Sequence, residues 1–310
     1  MLKKIVAVAV IVLLLPTLMI FISPFQNEEG DTLDVLIIDG QSNAAYGQDL
    51  IDLNQVNTDY PDAPTKKLYY YGTDSGPAWY WTHTDYENYA LHPMYNDGWK
   101  VGGYEAGLGY ILSQRSNHDT LIINIAVSGA TVTELSPENP MWVYGTTLIE
   151  NALNEVKALN EYESINMLGY VWAQGESDGS TPIKEYESKF MSIMKGLSKF
   201  GADECYIIAT RARWGNSVAA QYDLANAYSN ISITTNVTNT FTVADGTLKS
   251  DGVHYTQKGR DMIADVVGYE IDLNEPTSHD FGPILGAVVV VIIAGLSIAL
   301  AGSIIMRRND

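Results

Sequence analysis

The chemistry available to this chain centres on a serine near the start of the sequence and a histidine near its end. Asp39-Gly40-Gln41-Ser42-Asn43 follows directly on the apolar run Leu33 to Ile38, which puts Ser42 where a buried strand gives way to a turn. In open parallel sheets that is where ligands bind. A serine hydroxyl is a poor nucleophile until a base takes its proton, and imidazole suits that task near neutrality. His254 stands in Asp251-Gly252-Val253-His254-Tyr255. Gly252 permits a turn in which Asp251 folds back, orients the ring and stabilises the imidazolium. Each piece also has an ordinary reading: a serine after a strand caps a helix, and an Asp and a His before a helix decorate a surface.

Other chemistries find less support. His83, His92, His118 and His254 are scattered, with no second histidine or cysteine at ligand spacing, so no metal and no other cofactor is expected. Gly102-Gly103 and Gly107 to Gly109 lack the spacing and the lysine of a phosphate loop. The single cysteine, Cys205, lies in the apolar stretch Cys205-Tyr206-Ile207-Ile208 and reads as a buried structural thiol. A formal net charge of −19 argues against nucleic acid as a partner.

The elements that must position Ser42 and His254 alternate between short β-branched runs and longer stretches of helical period, the pattern of a parallel sheet covered on both faces. Strands are expected at Leu33 to Ile38, Leu121 to Val127, Asn166 to Trp172, Glu204 to Ala209 and Ile231 to Thr235. Helices are expected at Tyr104 to Gln114, Thr146 to Asn160, Ile183 to Lys199, Val218 to Tyr228 and Gln257 to Tyr269. Gly72 to Gly103, with Trp79, Tyr80, Trp81, Tyr86, Tyr89, Tyr95 and Trp99, breaks this alternation. It reads as an ordered excursion whose rings either offer a flat stacking platform or pack onto the sheet.

The ends have a different character. Lys3 and Lys4 precede an apolar run from Ile5 to Ile22, so residues 1–23 read as a signal peptide or signal anchor. Residues 284–306 carry no charge and are closed by Arg307 and Arg308, as in a transmembrane helix, with 274–283 as linker and 307–310 as a cytoplasmic tail. The basic residues place both ends in the cytoplasm and the domain at 30–273 outside the cell membrane, tethered through the C-terminal helix and, if it is retained, the N-terminal one.

A third segment completes the pattern. Trp172-Ala173-Gln174-Gly175-Glu176-Ser177-Asp178 follows a middle strand. Together with Gly40-Gln41-Ser42-Asn43 and Asp251-Gly252-Val253-His254 it resembles the SGNH hydrolase superfamily, and more closely the branch containing sialate O-acetylesterases and acetylxylan esterases. The likeness runs from about Asp34 to Tyr269. It implies a three-layer α/β fold of flavodoxin-like shape with a mostly parallel sheet, here with hydrophobic helices added at both termini. It further implies Ser42 as nucleophile, His254 as base and Asp251 as the residue orienting it. The oxyanion donors would be the backbone amides of Ser42 and Gly129 and the side-chain amide of Gln174. Glu176 is the alternative acidic partner, since some members of the branch have been discussed as using a glutamate. Ala173 stands where the branch usually has histidine, which bears on the wall of the site. The activity implied is removal of acetyl groups from O-acetylated carbohydrate, sialate- or xylan-type. The alternatives are a lipase or thioesterase of the same superfamily and a non-catalytic carbohydrate-binding module.

Overall fold

The structure is a computed structural model, and the residues it describes are 31–45, 60, 63–73, 76–77 and 89–273. The expected segments at 1–23, 274–283, 284–306 and 307–310 lie outside them, as do Trp79, Tyr80, Trp81, His83 and Tyr86. Among the described residues no helix is long and apolar enough to cross a membrane.

The strands are β1 (Thr32–Gly40), β2 (Leu68–Thr73), β3 (Gly76–Pro77), β4 (Ala90–Pro93), β5 (Asp119–Asn124), β6 (Ser164–Ala173), β7 (Cys205–Ile208) and β8 (Ile231–Thr235). The helices are α1 (Glu105–Arg115), α2 (Pro140–Leu159), α3 (Ile183–Leu197), α4 (Asn216–Ala227) and α5 (Gln257–Glu270). The strands form one sheet in the order β3-β2-β5-β1-β6-β7-β8, with β4 also paired to β2. From β2 to β8 neighbouring strands run parallel, whereas β3 and β4 add antiparallel to the outer edge of β2.

Strand side chains alternate between faces, and β1 shows both faces buried. Leu33, Val35 and Ile37 join one cluster with Leu148 and Ile149 of α2, Phe190 and Ile193 of α3 and Leu224 of α4. Leu36 and Ile38 join the other with Leu108 and Leu112 of α1 and Ile263 and Val267 of α5. Helices thus cover both faces, which gives the expected three layers. Asp34 interrupts the apolar run of β1 and is 1% exposed. It is satisfied by the Asn166 amide at 2.8 Å, by His118 Nδ1 at 3.0 Å and by the Ser116 hydroxyl.

Three differences from the sequence reading have local causes. The strand expected to Val127 ends its regular pairing at Asn124, yet the Ile125 and Val127 N–H groups still bond the Ile38 and Gly40 carbonyls. The chain therefore stays extended past the sheet end and carries Gly129 alongside Ser42's turn. Helix α2 begins at Pro140 rather than at Thr146, because proline at the first helical position has no N–H to leave unsatisfied. The aromatic excursion is partly sheet: β2 and β4 pair through Tyr69, Tyr70, Tyr71 and Gly72. Of its described rings, Tyr95 and Trp99 meet edge-on at 5.5 Å, and Trp99 also packs on Tyr60 and Tyr110. For these two residues the packing reading holds.

Candidate active site

Gly40 ends β1 at a point of close approach between chains. Its φ is +143°, and a Cβ there would collide with the Ala173 carbonyl of β6. That carbonyl instead accepts the Gln41 N–H at 3.1 Å. Only glycine allows β1 and β6 to come this near before the chain turns, and the turn from Gln41 to Ala45 lifts Ser42 to the surface.

His254 arrives from the loop between β8 and α5. Leu248 and Tyr255 form an isolated antiparallel bridge, the Lys249 N–H bonds the His254 carbonyl at 2.8 Å, and Gly252 takes φ +66° at the bend. The Arg211 and Arg213 guanidinium groups both donate to the Gly252 carbonyl, at 2.9 and 2.8 Å. Thr256 closes the loop by capping α5, its hydroxyl accepting the Gly259 N–H.

These two loops bring together the predicted nucleophile, base and acid. His254 Nε2 is 3.0 Å from Ser42 Oγ, and His254 Nδ1 is 2.7 Å from Asp251 Oδ2. Asp251 Oδ1 accepts the Val253 and His254 N–H groups at 2.7 and 3.0 Å, which is the fold-back that Gly252 permits. Partial burial pushes the Asp251 carboxyl up, but the His254 ring and the two backbone N–H groups outweigh it and hold the group down to about 2. The carboxylate is therefore ionised throughout the neutral range. The His254 and Asp251 side chains are 38% and 45% exposed, so the relay lies open at the surface.

Gly129 is exposed in the loop after β5, with φ +77° and open space around it. Among the described residues neither its N–H nor that of Ser42 meets an acceptor. Gln174 is placed differently. It is fully buried, and its side-chain N–H groups already face three acceptors: Gln41 Oε1 and the Ala130 carbonyl, both at 3.2 Å, and Asp178 Oδ2. A substrate oxygen would have to displace one of them to bind there. Among the described residues Glu176 makes no hydrogen bond to the histidine ring, whose nitrogens meet Asp251 and Ser42. Its Oε1 accepts the Asn43 amide at 2.6 Å, and its Oε2 is buried without a partner. Ala173 is buried among the apolar residues of the second face, with Tyr255 and Phe241 in the same cluster. Its methyl group thus takes part in the packing of that face.

The sequence reading missed the residues that brace the three loops against one another. Gln41 Oε1 accepts the Gly175 and Ser177 N–H groups at 3.2 and 3.0 Å besides the Gln174 amide. Asp178 Oδ2 accepts the Val132 N–H at 2.8 Å and so fixes the loop carrying Gly129. Asn43 joins the Ser42 turn to the His254 loop, accepting the Tyr255 N–H at 2.9 Å and donating to the Val253 carbonyl at 3.3 Å. All three are buried polar side chains, which must find partners. Their clustering in the same short motifs as Ser42, Gln174 and Glu176 was the available signal.

Cys205 is buried in β7, and burial pushes its thiol well above the usual range, in keeping with a structural role. Among the described residues no group of three His, Cys, Asp or Glu side chains could hold a metal ion.

A mostly parallel sheet covered on both faces carries a serine and an Asp-His pair on loops at the carboxyl ends of its strands, the arrangement of an α/β serine hydrolase. The chain matches the family described as carbohydrate esterase, sialic acid-specific acetylesterase, over residues 32–268, and it belongs to that family. It is a carboxylic ester hydrolase. A search of curated proteins by sequence gives no match. A solved structure of a protein from Arabidopsis thaliana is similar at a TM-score of 0.51 and 13% identity, covering 76% of this chain and 96% of that one. The crystal structure of NanS is similar at a TM-score of 0.51 and 15% identity, covering 78% and 97%. At such identities these likenesses speak for the fold.

Proposed function

We propose that this protein removes acetyl groups from O-acetylated carbohydrate through an acyl-enzyme, with Ser42 as nucleophile, His254 as general base and Asp251 as its orienting acid. The observation that carries the reading is the continuous relay from Asp251 Oδ2 through His254 to Ser42 Oγ, at 2.7 and 3.0 Å. His254 Nε2 takes the hydroxyl proton as Ser42 Oγ attacks the acetyl carbonyl. The negative oxygen of the tetrahedral intermediate is met by the Ser42 and Gly129 N–H groups, where fixed donors are worth most. Collapse expels the sugar oxygen, which takes the proton from His254. A water then gives its proton to the same nitrogen as it attacks the acetyl-serine; collapse breaks the bond to Ser42 Oγ, which takes the proton back from His254, and acetate is released.

The family supports the acetyl group and the carbohydrate. The exposed relay supports a bulky alcohol, because a sugar or polymer can reach a nucleophile at the surface. The test is a series of aryl esters and acetylated sugars. We expect kcat/KM to fall by about tenfold or more from acetate to octanoate, the scale on which a pocket discriminates small apolar differences. Acetylated oligosaccharides should outperform acetylated small alcohols. A preference for octanoate would replace this reading with a lipase or thioesterase, and no turnover of any ester would favour a binding module.

For location, the apolar ends and their flanking basic residues support a domain held outside the cell membrane. Protease added to intact cells should then remove the domain, and its protection would overturn the orientation.

A further inference from the structure

We infer that Glu176 is a positioning residue that acts through Asn43, fixing the one amide orientation that ties the nucleophile turn to the histidine loop. The inference rests on the serine-esterase reading above and assigns a task to a carboxylate which that mechanism leaves idle.

Both nitrogens of His254 are occupied, Nδ1 by Asp251 and Nε2 by Ser42. No ring nitrogen is left for Glu176. Its carboxylate instead accepts a hydrogen bond from Asn43 Nδ2, at 2.6 Å. Asn43 follows Ser42 directly in the chain and is 1% exposed. Its side chain holds the peptide groups on both sides of His254, through the Val253 carbonyl and the Tyr255 N–H. A single side chain beside the nucleophile therefore sets how far the base stands from it.

An amide can be turned over. In the other orientation its oxygen would face the Val253 carbonyl and the Glu176 carboxylate, and its nitrogen would face the Tyr255 N–H. All three contacts would then oppose like with like. A carboxylate can only accept, so Glu176, with the Val253 carbonyl and the Tyr255 N–H, holds Asn43 in the working orientation. Burial pushes the Glu176 carboxyl up, while the bond from Asn43 and the charges of His254 and Arg213 pull it back. Its Oε2 lies buried without a partner, a cost that packing alone does not repay.

The test uses Glu176→Gln, Glu176→Ala, Asn43→Asp and the double variant Asn43→Asp/Glu176→Gln. Two quantities are read: kcat and KM on an aryl acetate, and the second-order rate of Ser42 labelling by a fluorophosphonate. Glutamine keeps an accepting oxygen, so Glu176→Gln should lower kcat by less than about tenfold, and Glu176→Ala by about 100-fold or more with KM little changed. Asn43→Asp sets two carboxylates against each other and should lose about 100-fold. In the double variant the introduced glutamine can donate to the introduced aspartate, so about tenfold of that loss should be recovered. Labelling rates should rank the variants in the same order.

If Glu176→Gln falls as far as Glu176→Ala, the charge itself is needed and the positioning role is wrong. A double variant no better than Asn43→Asp would likewise overturn it. If Asn43→Asp fails to fold, the Gln and Ala variants at 176 decide alone. A wild-type chain that labels but turns over no acetate would sink the esterase reading and leave the labelling order to judge this one. A wild-type chain that does not label would overturn both.

Discussion

Replacing Asp251 by asparagine changes one atom of the relay, and the geometry dictates which one. Asp251 Oδ1 is held by the Val253 and His254 N–H groups. In asparagine the oxygen must stay there, because an NH2 group would oppose two donors. The NH2 is thereby forced onto the position of Oδ2, 2.7 Å from His254 Nδ1. A donor at that point favours the tautomer whose proton sits on Nε2, and such a ring cannot take the proton of Ser42. The lost carboxylate also no longer stabilises the imidazolium. Together these effects should lower kcat by about 10³- to 10⁴-fold, or about 4 to 5.5 kcal/mol of barrier. The turn keeps its two backbone bonds, so the melting temperature should stay within about 5 °C of the wild type. The assay is steady-state hydrolysis of an aryl acetate, with circular dichroism as the check on folding. Retention of more than about 10% of activity would refute the assignment of Asp251.

Gly40→Ala should destabilise the fold by more than about 2 kcal/mol and displace Ser42, because the new methyl group meets backbone and not a movable side chain; chemical denaturation and kcat read the two effects, and a wild-type midpoint would contradict the close approach. Asp39 is buried at the end of β1, and burial pushes its carboxyl up to about 7, the Gly40 N–H pulling it back only in part. The folded chain therefore holds this proton more tightly than the unfolded chain, so stability falls as pH rises from about 4 to about 7. Asp39→Asn should remove this part of the slope and raise stability above pH 7, by up to about 4 kcal/mol, as read from melting temperature against pH. Burial pushes Glu105 up to about 7 as well, so part of the slope should survive in Asp39→Asn and shrink further when Glu105→Gln is added.

The sequence disclosed the central sheet because β1, β5 and β7 are short apolar runs buried on both faces. It singled out Ser42, Asp251 and His254, which the fold brings within hydrogen-bond distance of one another, because a nucleophile, a base and an acid have few alternatives in residue type. Strand β2 escaped notice because Leu68-Tyr69-Tyr70-Tyr71 is followed by an aromatic, polar stretch in which no period stands out. Its place beside β5 is set by long-range pairing. The bracing roles of Gln41, Asn43 and Asp178 were hidden for a similar reason. A buried amide or carboxylate announces that it needs partners, but which loop supplies them depends on how three strand ends meet. The choice between Asp251 and Glu176 was also a question of three dimensions: both lie in motifs the family uses, and only the fold shows which carboxylate reaches Nδ1.

The central claim is that Ser42 is the activated nucleophile, and covalent labelling addresses it most directly. The purified protein, incubated with a fluorophosphonate at neutral pH and analysed by intact and peptide mass, should carry one adduct, located on Ser42. The adduct should be absent from Ser42→Ala and strongly slowed in His254→Ala. An unlabelled protein, or an adduct on another residue that survives in Ser42→Ala, would contradict the account.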